Sequence, residues 1–404
     1  MGELQRTRWA AVLAAIGAGV VAACYVGKVP PAMPALRAEL GLGIVAGGWV
    51  VSLFNGLGVC GAILMGFACD RLGHRRATLA GLLVLAMGGV VGAFSAGFVW
   101  LLIGRILEGV GYLLIAVSGP GLLITASSVG DRRLAFGLWG TYMPTGMALA
   151  MLAAPIAMAA IGWRGLWLLL SVAALGMAVL LARLTTDLPR LGGHRDAGVL
   201  ADIAATLRRP GLWWLSLTFA AYALQWLSLM VWLPSFLIEG RGSSNGMAAV
   251  LTTIIVAVNI PGNLLGGWLS HIGARRWWLI SGASAAMGLA SLGIFSDGLP
   301  DGLRYALCLA FSFFGGLLPA AALGGSAVHA PSPRQIGAAN GIINQGSNLG
   351  QFAGPPAVAA LVSASGNWHS ASALLVGAAL VAGFGGYAAA LCEPRPSTRH
   401  PSSI

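Results

Sequence analysis

Apolar runs of roughly 20 residues or more follow one another along nearly the whole chain, which is the length a helix needs to cross the hydrocarbon of a bilayer. Only short clusters of charge interrupt them. Lipid offers no partner to a backbone N–H or C=O group, so a segment inside it must be a helix or a strand of a closed barrel. Barrel strands are segments of about ten residues whose side chains alternate in polarity, and these runs are longer and do not alternate. Composition agrees. Charged residues make up 9% of the chain and hydrophobic residues 57%, where a soluble domain carries roughly 25% charge. The chain is therefore expected to be an all-α polytopic membrane protein.

Twelve spans are predicted, at 9–33, 44–68, 76–96, 98–128, 133–161, 163–182, 211–239, 245–270, 275–295, 302–328, 334–364 and 369–391. No small-residue cleavage site precedes Arg37 and Glu39, so the first run is read as a retained span. The one long polar stretch inside the chain, 183–210, is the natural boundary between a first six-helix bundle (1–182) and a second (211–404). The net charge of +11 would suggest a nucleic-acid partner if it were gathered on one face. It lies instead in the connections, where it orients the protein. Seventeen arginines fall on the side of the termini and the linker, against four (Arg37, Arg164, Arg241 and Arg304) on the other. The positive-inside rule places both termini in the cytoplasm and the chain in the cell inner membrane. The cysteines at 24, 60, 69, 308 and 392 show no metal-ligand spacing, and their odd number is no disulfide framework.

The two halves repeat with an offset of 200 residues. Pro34 and Glu39 match Pro234 and Glu239. Gly66, Gly73, Arg75 and Arg76 match Gly266, Gly273, Arg275 and Arg276. Gly146, Ala150, Ala154 and Pro155 match Gly346, Gly350, Gly354 and Pro355. Six spans separate each pair, so both halves run in the same sense. Parallel repeats of this kind place a solute site between the halves, near mid-membrane.

Between spans 2 and 3 stands Gly66-Phe-Ala-Cys-Asp70-Arg71-Leu-Gly73-His74-Arg75-Arg76. It resembles the loop signature of the major facilitator superfamily, G-x-x-x-D-R-x-G-R-[RK], with His74 in place of the first closing arginine. Arg105-Ile-Leu-Glu108-Gly109-Val-Gly111 in span 4 is similar to the family's R-x-x-x-G-x-G element. The resemblance covers nearly the whole chain. It implies two pseudo-symmetric six-helix bundles and secondary active transport by alternating access, as a monomer. It also implies a gating latch at Gly66, Asp70, Arg71, Gly73, Arg75 and Arg76. In the second half Ser270 and His271 stand where Asp70 and Arg71 do, so that latch has lost its acid. A glycine–proline ridge in span 5 marks many exporters of the family. Here the glycine-rich version, Gly346, Gly350, Gly354 and Pro355, lies in span 11.

Lys28, Arg105 and Glu108 are charged residues deep inside spans, away from the span ends. Glu108 is the only embedded carboxylate, and an unpaired charge at that depth costs about 2.5–3.5 kcal/mol on insertion scales. It must face water, pair with a base or be protonated, and it is the candidate for proton coupling. Arg105 lies one helical turn away. Lys28 is the only lysine, beside 22 arginines. Two readings are open for it, a contact with an anionic solute or a proton relay on one hand, and snorkelling to the outer surface on the other. Neutral polar groups complete the candidate solute site, with Asn55, Tyr142, Gln225, Trp226 and Asn259 joined by a stripe of Asn344, Asn348 and Gln351 on one face of span 11. Glue between helices is the alternative reading for any one of them. No nucleotide-binding loop and no convergent cluster of catalytic side chains is present, so neither an enzyme, a cofactor nor a metal is expected. The local charge of Lys28, Arg105 and Glu108 is +1 when all are ionised. That leans towards proton-coupled uptake of a small organic anion, with proton-coupled efflux of amphipathic drugs or metabolites as the alternative.

Overall fold

A computed structural model describes residues 6–128, 130, 131, 135, 138–188, 204–296, 298–331 and 335–393. The side chains at 57, 60, 63, 64, 66–68, 70, 71, 271, 327 and 336–338 lie outside the description. Among the described residues the structure is helical, with no strand. The helices are α1 (Trp9–Gly27), α2 (Val29–Leu40), α3 (Ile44–Leu72), α4 (His74–Ala93), α5 (Phe98–Ala126) and α6 (Tyr142–Leu184) in the first half. In the second half they are α7 (Pro210–Ser235), α8 (Asn245–His271), α9 (Arg276–Ile294), α10 (Asp301–Gly324), the short α11 (Ser326–His329), α12 (Ile336–Ser365) and α13 (His369–Leu391). They make the twelve crossings that the apolar runs predict, because α1 and α2 form one crossing and α6 forms two.

The first crossing runs further than predicted. Helix continues to Leu40, through Pro30, Pro31 and Pro34. Pro30 and Pro31 lack the N–H donors that would reach back into α1, so the ladder breaks at Lys28 while the chain keeps its helical course. Proline is tolerated in a first turn because those N–H groups have no intrahelical partner there. Arg37 and Glu39, expected in a turn, are therefore helical. At the second departure, α6 contains 43 residues, about 65 Å at 1.5 Å per residue and twice a bilayer core. Gly162, with φ 67° and ψ 176°, reverses the chain between crossings at 142–161 and 163–184. Only glycine takes that backbone cheaply, and no separate loop is needed.

Packing follows the repeat. In the first half α1 lies against the first crossing of α6, α3 and α4 against α5, and α4 also against α6. The equivalent pairs in the second half, α7 with α12, α8 and α9 with α10, and α9 with α13, make the same contacts. The glycine ridge of α12 sets one of these distances. A Cβ at Gly350 would overlap the Ala220 carbonyl of α7, and one at Gly354 would come within 2.9 Å of the Leu224 carbonyl. Small residues let two backbones meet this closely in lipid, where packing rather than water exclusion drives association.

The halves meet through α3 with α12 and through α8 with α6, a pair of contacts related by the same repeat. At the end of the bundle away from the termini, Trp49 meets Phe352 edge-on at 5.6 Å, and a Cβ at Gly48 would lie 3.0 Å from the Cα of Pro356. Arg37 of α2 and Glu239, in a π-helical turn that ends the seventh crossing (Phe236–Gly240), pair at 2.8 Å. The two halves are thus closed against each other at this face.

Candidate functional site

The break after α1 delivers Lys28 to the interior of the first half. Its ammonium lies 2.7 Å from Glu108 Oε1 of α5. The other carboxylate oxygen of Glu108 accepts from Arg105 Nη1, three residues earlier on the same helix. Lys28 and Glu108 are fully buried and Arg105 is 1% exposed, so the three form a closed triad away from bulk water. Lys28 does not snorkel. Its Nζ stands 4.0 Å from the centre of the Trp167 ring and 4.3 Å from that of Tyr25. Two aromatic faces thus stabilise a cation that has lost its water.

Arg105 is held as firmly. Its Nε donates to the Val50 carbonyl of α3 at 2.9 Å and its Nη1 to the Tyr25 carbonyl of α1 at 3.0 Å, while the guanidinium stacks 4.6 Å from the Phe54 ring. The triad therefore ties α1, α3 and α5 together, with Trp167 of α6 closing it. One guanidinium nitrogen, Nη2, is buried without a hydrogen-bond partner, and so is Nδ2 of Asn55, one residue beyond Phe54. Charge is also left over. Two cations share one carboxylate.

The predicted polar residues of the second half gather separately. Trp226 Nε1 donates to Ser312 Oγ at 3.2 Å, Asn259 Nδ2 donates to the Ser312 carbonyl at 2.9 Å, and Asn263 donates to Asn259 Oδ1 at 2.7 Å. Gln225 is buried, gives its amide N–H to the Ala221 carbonyl at 3.2 Å and leaves Oε1 without a partner. In the first half the Tyr142 hydroxyl meets that of Tyr112 at 3.1 Å. The α12 stripe spends its amides locally. Asn344 and Asn348 donate to carbonyls four residues back, at 3.0 Å each, and Gln351 donates to Ser347. Asn348 also sits against Gly58 of α3, and the neighbouring Gln345 reaches across the halves to the Val59 carbonyl at 2.6 Å.

Of the predicted latch, the side chains of Gly66, Asp70 and Arg71 lie outside the described residues. Gly73 caps α3 with φ 82°. Arg75 donates to Thr185 Oγ1 at 3.0 Å and to the Ala182 carbonyl at 2.8 Å, joining the start of α4 to the end of α6, while Arg76 is exposed.

Sequence reasoning did not find Tyr25, Trp167, Tyr112 or Ser312. Tyr25 carried a signal, since it stands one turn before Lys28 and shares its face. Trp167 carried none, because a tryptophan in an apolar run reads equally as a lipid-facing side chain.

Comparison with known proteins adds to this geometry. The family model described as Major Facilitator Superfamily matches residues 10–355. The chain is 25% identical over 362 residues to a probable sulfoacetate transporter of Cupriavidus necator, covering 84% of each chain. It is 26% identical over 318 residues to a 2-nitroimidazole transporter of Escherichia coli, covering 77% of each. Among solved structures it matches a bacterial homologue of the human lysosomal transporter Spinster with a TM-score of 0.80 and 17% identity, over 96% of this chain and 99% of that one.

Proposed function

Because the chain belongs to the Major Facilitator Superfamily and is a secondary transporter of small organic solutes, we propose that its solute is a small organic anion taken up together with protons, coupled through Lys28, Glu108 and Arg105. The observation that carries this reading is the buried triad with two cations on one carboxylate. With all three groups ionised it holds +1. Protonating Glu108 raises this to +2 and frees both cations from their common partner. An anion approaching the unpartnered Arg105 Nη2 and Asn55 Nδ2 brings the charge back to +1. Proton and anion each make the other's arrival more favourable, which is the thermodynamic content of symport. The Trp226–Ser312–Asn259 cluster and Gln225 of the second half supply neutral donors and acceptors for the rest of the solute.

Relatives support the solute class. Sulfoacetate, named for the Cupriavidus relative, is an anion, and a hexuronate transporter of Bacillus subtilis is 24% identical over 59% of this chain. The arginine asymmetry supports an inner-membrane orientation with both termini and the 183–210 linker in the cytoplasm, joining bundles 1–182 and 211–404. On that orientation the closed face is the periplasmic one. The Asp70 loop would then latch the cytoplasmic side, with Arg75 already fixed to the end of α6.

The test is uptake into proteoliposomes under an imposed pH gradient, with labelled sulfoacetate and glucuronate as probes. Accumulation with the interior alkaline, abolished by a protonophore, is the expected result. Accumulation that ignores the gradient, or transport confined to neutral and cationic solutes, overturns the reading.

A further inference from the structure

Two turns along α5 from Arg105, at the midpoint of the helix, stands Tyr112. Seven residues carry the chain about 10 Å along the axis and return it to the same face. The two side chains share a wall. The centre of the Phe54 ring of α3 lies 4.6 Å from the Arg105 guanidinium and 5.0 Å from the centre of the Tyr112 ring. Tyr112 also reaches α6, where its hydroxyl stands 3.1 Å from that of Tyr142. The Tyr142 ring is braced in turn by Trp139, with centres 4.6 Å apart. α3 and α6 are the helices through which the first half meets the second. The hydroxyl pair between them therefore lies where a parallel repeat places its solute. Both tyrosines are partly exposed there, whereas Phe54 and Arg105 are buried.

The pair has one proton to spare. Two hydroxyls carry two protons, and the hydrogen bond between them uses one. The further contact of the Tyr112 hydroxyl is the Met143 sulfur at 3.5 Å, and a thioether is a weak acceptor. We propose that Tyr112 selects the solute by its length and by its second polar group. The Tyr112 hydroxyl leaves the sulfur and donates to an acceptor at the far end of the solute. That solute is an acid of about six carbons, long enough to bridge the two helical turns from Arg105. The carboxylate at Arg105 is taken from the function proposed above. The second contact stands on the tyrosine pair alone.

The experiment is calorimetric titration of the purified full chain with adipamate, a monoanion that ends in an amide. Hexanoate is its equal in charge and carbon number without the acceptor, and adipamide and hexanamide are the uncharged pair. Adipamate is expected to bind about fivefold more tightly than hexanoate, the net worth of one hydrogen bond. Tyr112→Phe keeps the ring against Phe54 and removes only the hydroxyl. It should bind the two acids equally, with hexanoate at its wild-type strength. Met143→Leu removes the competing sulfur and should keep or widen the preference. Equal binding of the two acids by wild type, a preference that survives in Tyr112→Phe, or its loss in Met143→Leu overturns the role of Tyr112. Arg105 is tested separately. If neither acid binds, while adipamide outbinds hexanamide in wild type but not in Tyr112→Phe, the hydroxyl keeps its role and Arg105 loses the carboxylate. No binding of any of the four compounds overturns both contacts.

Discussion

Replacing Glu108 by glutamine would leave Lys28 and Arg105 side by side without a counter-charge, at positions no water reaches. Removing one member of a buried ion pair costs about 3–5 kcal/mol, mostly through the charge left behind. Glu108→Gln protein is therefore expected to melt lower than wild type. In proteoliposomes it should exchange solute across the membrane while no longer accumulating it against a gradient. Lys28→Gln leaves the Glu108–Arg105 pair balanced at zero, so it should be the milder change for stability and the more severe one for anion affinity. Combining the two removes a cation and an anion together and should restore part of the lost melting temperature. Accumulation at the wild-type level in Glu108→Gln would make the triad a structural clamp. Additive melting shifts in the double variant would show that Lys28 and Glu108 do not depend on each other.

At the scale of the element, two contacts yield tests. The α12 ridge touches α7 backbone to backbone. Gly350→Leu must push the helices apart, and overpacking costs about 1–3 kcal/mol or more. A lower melting temperature is expected, while Gly176→Leu on α6, where a Cβ meets nothing within 4 Å, should melt like wild type. Equal melting of the two variants would mean the ridge is loose. The second contact is His329 of α11, buried where a Cβ on Gly211 would overlap its ring. Burial holds this imidazole below its ordinary range, Glu393 opposes that shift, and Arg276 and Arg209 add to it. The folded protein then prefers neutral His329. Below the usual imidazole pKa the unfolded chain takes up a proton that the folded one refuses, so stability should fall as the pH drops through that range. His329→Gln should flatten this acid limb of melting temperature against pH, and superimposable curves would sink the assignment. Much at this scale was legible in the sequence. Apolar runs place every crossing, and the 200-residue offset pairs the ridges of spans 5 and 11. What periodicity could not show is where a helix ends. Pro30 and Pro31 look like terminators but begin α2, because the break they cause is absorbed at Lys28. Nor could it show which charges meet. Glu108 had to face water, pair with a base or be protonated, yet its partner Lys28 at the end of α1 follows only from how α1 and α5 pack.

For the whole molecule, the closed face is the state on view. Gly48 and Pro356 stand on opposite halves, with a Cβ on Gly48 3.0 Å from the Pro356 Cα, so cysteines at the two positions are close enough to be cross-linked. Oxidised Gly48→Cys/Pro356→Cys protein should be transport-dead and recover on reduction. Undiminished transport after complete cross-linking would show that this face never opens. The turn at Gly162 bears on how it opens. With one residue between crossings 5 and 6, and Trp163 and Arg164 both hydrogen-bonded to Glu39 of α2, there is no slack in the chain there. A displacement of crossing 5 is passed on to crossing 6 and to α2. Crossing 6 carries Trp167, the lid on Lys28. Mechanically, the first half works as a lever with a stiff elbow, and a few flexible residues inserted after Gly162 would let the gate move while the triad stood still.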